Sequence, residues 1–168
     1  MKIERMYQMK LYHATYNKYR KSIEENGLIP NFSRSNYDLN ETGCLYFAFD
    51  PDVAISYAEC SENPDISEDD LDNIIICEVD SGNLDISNVG YDSNNRTDNP
   101  EYINSLSYSA RIAPENLKIY TEREIEQQAD IQKYSFSCLK NADDAEAAMI
   151  YDILNREFEN LHDQRKEG

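Results

Sequence analysis

Apolar residues recur along this chain in short blocks, and the period of the pattern changes from block to block. Met9 to His13 reads as a short strand. Lys18 to Asn26 reads as a helix, with Tyr19 and Ile23 four apart on one face and Gly27 as the C-terminal stop. Leu28-Ile29-Pro30 leaves that helix, and Asn31 to Thr42 is a polar loop. Cys44 to Phe49 is an aromatic strand. Asp50 and Pro51 open a second helix as N-cap and first helical residue, with Val53, Ala54 and Tyr57 on its buried face. The run from Glu59 to Asp72 holds seven acids and no base, which reads as a solvated loop because like charges repel and stay hydrated.

The second half repeats the alternation. Asn73 to Val79 is continuously apolar and predicts a central strand. Asn88 to Pro100 is a polar loop, Tyr102 to Ile112 shows some alternation, and Leu117 to Tyr120 is a further short strand. Thr121-Glu122-Arg123-Glu124 is a capping box, predicting a helix to about Lys133. A terminal helix spans Ala142 to Asp163, with Ala145, Met149, Ile153 and Phe158 as its stripe and Ala148, Leu154 and Leu161 filling it. No repeat or linker interrupts the pattern, so the chain is read as one α+β domain over residues 1–168.

Composition narrows the function. The 168 residues can bury a core of single-domain size. Tyrosine carries much of the apolar load: 13 Tyr and 5 Phe stand against no Trp. The net charge of −17 repels phosphate backbones, so direct nucleic-acid binding is not expected, whereas a protein partner with a basic surface would be steered in. Cys44, Cys60, Cys77 and Cys138 form no CxxC pair, and the histidines are only His13 and His162, so no metal site is expected. The charged start at Met1 to Arg5 and the short aliphatic runs predict a soluble, cytoplasmic protein with no membrane span.

Two segments carry chemistry. One is Leu11-Tyr12-His13-Ala14-Thr15. The other is Gly43-Cys44-Leu45-Tyr46-Phe47-Ala48, followed by a helix bearing Tyr57. Together they resemble the ADP-ribosyltransferase superfamily, in its diphtheria-toxin and poly(ADP-ribose)-polymerase-like branch. That family's early His-Gly-Ser or His-Gly-Thr strand is matched by His13-Ala14-Thr15, and its Gly-x-x-Tyr-Phe-Ala strand by Gly43 to Ala48. A Gly-Leu turn after the first helix matches Gly27-Leu28, and an Ile-x-Pro-Glu turn matches Ile112 to Glu115. The resemblance spans motif region 9–121, with 122–168 as a C-terminal helical extension. It implies split, curved β-sheets facing across a cleft, with flanking helices and with His13 and Tyr46 on neighbouring strands.

The resemblance also implies a reaction. NAD would bind with its cationic nicotinamide between Tyr46 and Tyr57, by stacking and cation–π attraction. The backbone beside Ala14 would hold the carboxamide, His13 the adenosine ribose, and Thr15 the nicotinamide-side groups. ADP-ribose would pass from NAD to a protein target, and no metal takes part. The family's carboxylate lies on a strand before the Ile-x-Pro turn. Counting back from Ile112 leads to Ile103 or Ser105, and the nearest acid is Glu101, which takes the catalytic role in this reading. The chain departs from the family pattern at Ala14, where glycine is usual, and at Ala54, where the polymerase branch has serine.

Three functions compete. The first is a mono-ADP-ribosyltransferase, in the small acidic form typical of phage or mobile-element effectors as the resemblance implies. The second is a non-catalytic protein of the same fold whose acidic surface blocks a basic partner. The third is a relative of RNA phosphotransferases, which share the early strand but need basic residues around the phosphate; here these are chiefly Arg34 and Arg111.

Overall fold

Strand β1 (Lys10–Tyr16) is the axis of the molecule. A computed structural model of the chain describes residues 9–30, 43–60, 64–92, 97–128, 136, 139 and 145–167. β1 continues three residues beyond the expected end at His13, because seven register pairs from Lys10↔Asp80 to Tyr16↔Ile74 zip it to β3 (Ile74–Asp80). With β2 (Leu45–Ala48), β4 (Val89–Tyr91), β5 (Ser105–Tyr108) and β6 (Lys118–Thr121), these form one antiparallel six-stranded sheet in the order β4-β5-β2-β1-β3-β6.

The expectation of two facing sheets meets a different arrangement. The sheet is continuous, yet β1 and β2 share only the register pair Tyr12↔Ala48. Two well-paired halves, β4-β5-β2 and β1-β3-β6, therefore meet at a narrow joint. The α+β class holds, and β3 is interior as its apolar run predicts.

Alternation assigns the faces. Leu11, Phe47, Ile75, Cys77, Leu106 and Tyr108 point into the larger core, covered by α1 (Arg20–Asn26) and the terminal helix. Tyr12, Ala48 and Ile76 point the other way, beneath α2 (Pro51–Glu59) and the short α4 (Glu122–Glu126). Asp50 caps α2 by accepting from the Asp52 N–H at 2.8 Å, with Pro51 in the first turn. The Tyr16 hydroxyl donates to the Ala58 carbonyl at 2.7 Å and pins the far end of α2 to β1.

Several expectations change. Tyr19 lies in a 3₁₀ turn before α1 and is 37% exposed, so Ile23 alone anchors that helix. The acidic run contains a helix, α3 (Glu68–Leu71), because Ser67 and Asp70 complete a capping box. Strand β4 occupies the start of the expected Asn88–Pro100 loop. The terminal helix, α5 (Ala145–Glu167), buries Ala147, Ile150, Leu154 and Phe158, whereas Met149 is 44% exposed. The i, i+3, i+7, i+11 stripe that meets the sheet is rotated from the expected one, because the helix is apolar on more than one face and packing selects. α4 ends at Glu126 with Gln127 as its C-cap, short of the expected end near Lys133, while residues 129–133 and the loop expected at Asn31–Thr42 lie outside the described residues.

One contact explains why two of the sequence motifs occur together. Gly27 ends α1 at φ 78°, and Leu28 then bridges Ile112. Leu28 N–H donates to the Ile112 carbonyl at 3.0 Å, and Ile112 N–H returns to Leu28 at 2.9 Å. The Gly-Leu turn and the Ile-x-Pro-Glu turn are thus two halves of one hydrogen-bonded clasp.

Candidate functional site at the β1–β2 joint

His13 follows Tyr12, the β1 residue of the single register pair with β2. Its Nδ1 lies 2.9 Å from the Tyr46 carbonyl oxygen. A carbonyl only accepts, so Nδ1 carries the hydrogen and the neutral ring presents Nε2 as an acceptor. The imidazole packs at 5.8 Å from the Phe47 ring, and its burial holds the pKa below the usual histidine value, against the smaller opposing effect of the Tyr46 bond. His13 is therefore a neutral ring of fixed tautomer, half-buried and able to accept one hydrogen bond.

Tyr46 sits on the opposite face from His13. Its register partner on β5 is Ser107, and it shares the α2 side of the sheet with Ala48. Ala14 lies on the same side, half-buried against the α2 cluster, while Thr15 shares the face of His13 and is also half-buried. Tyr57 reaches from α2 towards the start of β5, where its hydroxyl donates to Asn104 Oδ1 at 2.9 Å. Desolvation raises the Tyr57 pKa; a bond with Ser105 opposes this, the charge of Asp92 adds to it, and the Asn104 bond again opposes it. Tyr46 and Tyr57 thus address one face of β5, at Ser107 and Ser105 respectively. Two residues along a strand span about 7 Å, and a flat ring in contact on both sides needs about 7 Å between its neighbours.

Glu101 stands elsewhere. It lies in an exposed 3₁₀ turn, Pro100–Tyr102, and its N–H is held by the Asn99 side chain at 3.0 Å. Ile103 is buried after it, and the residues beside Tyr57 at the head of β5 are the neutral Asn104 and Ser105. The structure brings His13 to Tyr46, and Tyr57 to β5, without drawing Glu101 into those contacts.

A buried carboxylate beside this cluster, Asp92, falls within the stretch Asn88 to Pro100 that the sequence predicts as a loop. Asp92 follows directly on β4, is 2% exposed, and accepts from the Ser105 hydroxyl at 2.8 Å. The alternation Ser105-Leu106-Ser107-Tyr108 is the signal that placed β5, and Val89-Gly90-Tyr91 before Asp92 is its weaker counterpart for β4.

Four of the described bases are engaged in structural contacts. Lys10 pairs with Glu78 at 3.5 Å, Lys18 with Asp70 at 2.9 Å and Arg20 with Glu24 at 2.9 Å. Arg111 Nε donates to the Asn26 carbonyl at 2.8 Å, which occupies one of the two bases a phosphate site would need; Arg34 lies outside the described residues. Among the described residues no three His, Cys, Asp or Glu side chains are grouped to hold a metal ion, and no helix is long and apolar enough to cross a membrane. Compared with known proteins, the chain matches no family model and no curated protein.

Proposed function

We propose that this chain is a mono-ADP-ribosyltransferase that uses NAD to modify a protein target with a basic surface. The observation that carries the reading is the β1–β2 joint. There a neutral His13 of fixed tautomer is bonded to the backbone of Tyr46, and Tyr46 and Tyr57 address one face of β5 two residues apart. An extended dinucleotide lying along the parting of the strands would meet the two tyrosines and Ala14 with its cationic ring. Its ribose hydroxyl would donate to His13 Nε2 at the other end. Cleavage of the bond between nicotinamide and ribose builds positive charge on the sugar, and an anionic group preorganised beside it lowers the barrier. Glu101 is the candidate for that role if its turn moves towards the bound sugar.

A specific observation favours a second reading. Asn104 and Ser105 occupy the head of β5 beside Tyr57, while Glu101 is exposed. A site that binds NAD without cleaving it, on a protein of charge −17 that blocks a basic partner, accommodates both facts. The test is transfer of labelled ADP-ribose from NAD to protein in a lysate, by the wild type and by Glu101→Gln. The enzyme reading expects labelling that Glu101→Gln lowers by about 10²-fold or more, in rate and not in NAD affinity. NAD binding with neither labelling nor NAD cleavage would leave the blocker.

A further inference from the structure

We infer that the outer edge of β6 takes an extended segment of a basic protein partner as an added strand of the sheet. This rests on the reading of the partner as basic, and says where it docks and in what conformation. The two edge strands, β4 and β6, differ. At β4 the terminal helix stands in for a neighbour, because Glu157 of α5 accepts from the Tyr91 N–H. At β6 the ladder itself shows which groups face outward. The N–H and C=O of one residue point to the same side of an antiparallel strand, and the side alternates. The Thr121 N–H turns to Glu124 Oε1 at 3.3 Å, and the Leu117 N–H to the Pro114 carbonyl at 3.1 Å. Both residues therefore face away from β3, and so does Ile119 between them. Lys118 and Tyr120 face inward to their register partners Glu78 and Ile76. The N–H and C=O of Ile119 meet no partner among the described residues. They offer an incoming strand the two-bond pair of an antiparallel ladder.

An unpaired edge is a template for any extended chain, so the charge around it selects the occupant. Residues 115–126 hold four acids, Glu115, Glu122, Glu124 and Glu126, against Lys118 and Arg123. At the Thr121 end of the strand, burial raises the Glu122 pKa, and the charges of Glu59 and Glu126 raise it further. A cation placed there relieves that repulsion. A second copy of this chain would bring a further charge of −17 to the same edge and is disfavoured. A segment that pairs with Ile119 and carries Lys or Arg towards Thr121 gains both the backbone bonds and the charge attraction.

The experiment titrates the full chain with a blocked hexapeptide of alternating Lys and Val. Its controls are the same peptide with every backbone amide N-methylated, which keeps the charge and loses the donors, and an alternating Glu-Val hexapeptide. Lys-Val should bind about tenfold or more tighter than its N-methylated form, as for the backbone bonds lost, and Glu-Val should not bind. Bound Lys-Val should slow hydrogen exchange at the Ile119 amide. Ile119→Pro should abolish the preference and still fold, because that N–H lies outside the β3–β6 ladder. Glu122→Lys with Glu126→Lys should weaken Lys-Val binding by about threefold or more. The exchange readout and this charge-reversed variant decide the matter even if Ile119→Pro does not fold. Equal binding of the two Lys-Val forms, unchanged exchange at Ile119, or a preference surviving in folded Ile119→Pro would overturn the β6 site. So would a dimer of the unliganded chain that Ile119→Pro dissociates. Transfer of label from NAD is measured separately, so failure at β6 leaves the enzyme reading standing.

Discussion

Replacing Gly27 with alanine should destabilise the protein by about 2–6 kcal/mol, a sum built from backbone strain and two hydrogen bonds. Gly27 sits at φ 78° and ψ −168°, a region open essentially to glycine, where a side chain costs about 1–3 kcal/mol. A Cβ at this position would lie 1.9 Å from the Ile112 carbonyl oxygen, so that oxygen must withdraw. It is the acceptor for Leu28 N–H, and the return bond from Ile112 N–H to Leu28 strains with it. Each bond contributes about 0.5–1.5 kcal/mol. Against a total stability of about 5–15 kcal/mol, the loss is large enough to shift a urea midpoint well beyond error. The assay is equilibrium urea unfolding followed by tyrosine fluorescence and far-ultraviolet circular dichroism, with equal slopes for the two proteins. A loss below about 1 kcal/mol would refute the reasoning, since backbone strain alone should exceed it.

Glu157→Ala should cost about 1–3 kcal/mol and loosen α5, because its carboxylate accepts from Tyr91 N–H at the open edge of β4; hydrogen exchange at Tyr91 is the direct readout. His13 should make the fold acid-sensitive: its folded pKa lies below the unfolded value of 6.5, so its share of stability is complete above that value and is lost as pH falls through the folded one. Urea unfolding at about pH 7.5 and about pH 5.5 should therefore show a larger acid loss in the wild type than in His13→Gln. Cys77, buried in β3 with its thiol pushed up to about 12 by desolvation, should resist alkylation in the native protein, and rapid labelling would show that β3 opens locally.

The strands that carry the site could be read from the chain where the period was unambiguous. The run Ile74 to Val79 announces an interior strand, and Asp50-Pro51 announces α2, because each signal is local. The face chosen by α5 was not legible. Ala145, Met149 and Ile153 are as apolar as Ile150 and Leu154, and only contact with β4 and its neighbours distinguishes them. Asp92 was hidden for a similar reason. A three-residue strand followed by an aspartate looks like loop, and the hydroxyl that bonds it comes from Ser105, thirteen positions away. Counting back from Ile112 leads to Glu101, and counting cannot see that Asn99 and Pro100 set it in a 3₁₀ turn, Pro100–Tyr102, ahead of β5.

The central claim is that the β1–β2 joint binds the nicotinamide end of NAD between Tyr46 and Tyr57. Calorimetric titration of the purified protein with NAD, in the wild type and in Tyr46→Ala, tests it most directly. Tyr46 is half-buried and its backbone, not its ring, holds His13, so the variant should fold. The account predicts saturable binding by the wild type, weakened by about 1–3 kcal/mol in Tyr46→Ala, the value of one lost stacking partner. No binding by the wild type, or equal affinity in a folded Tyr46→Ala, would contradict it and return both tyrosines to the core.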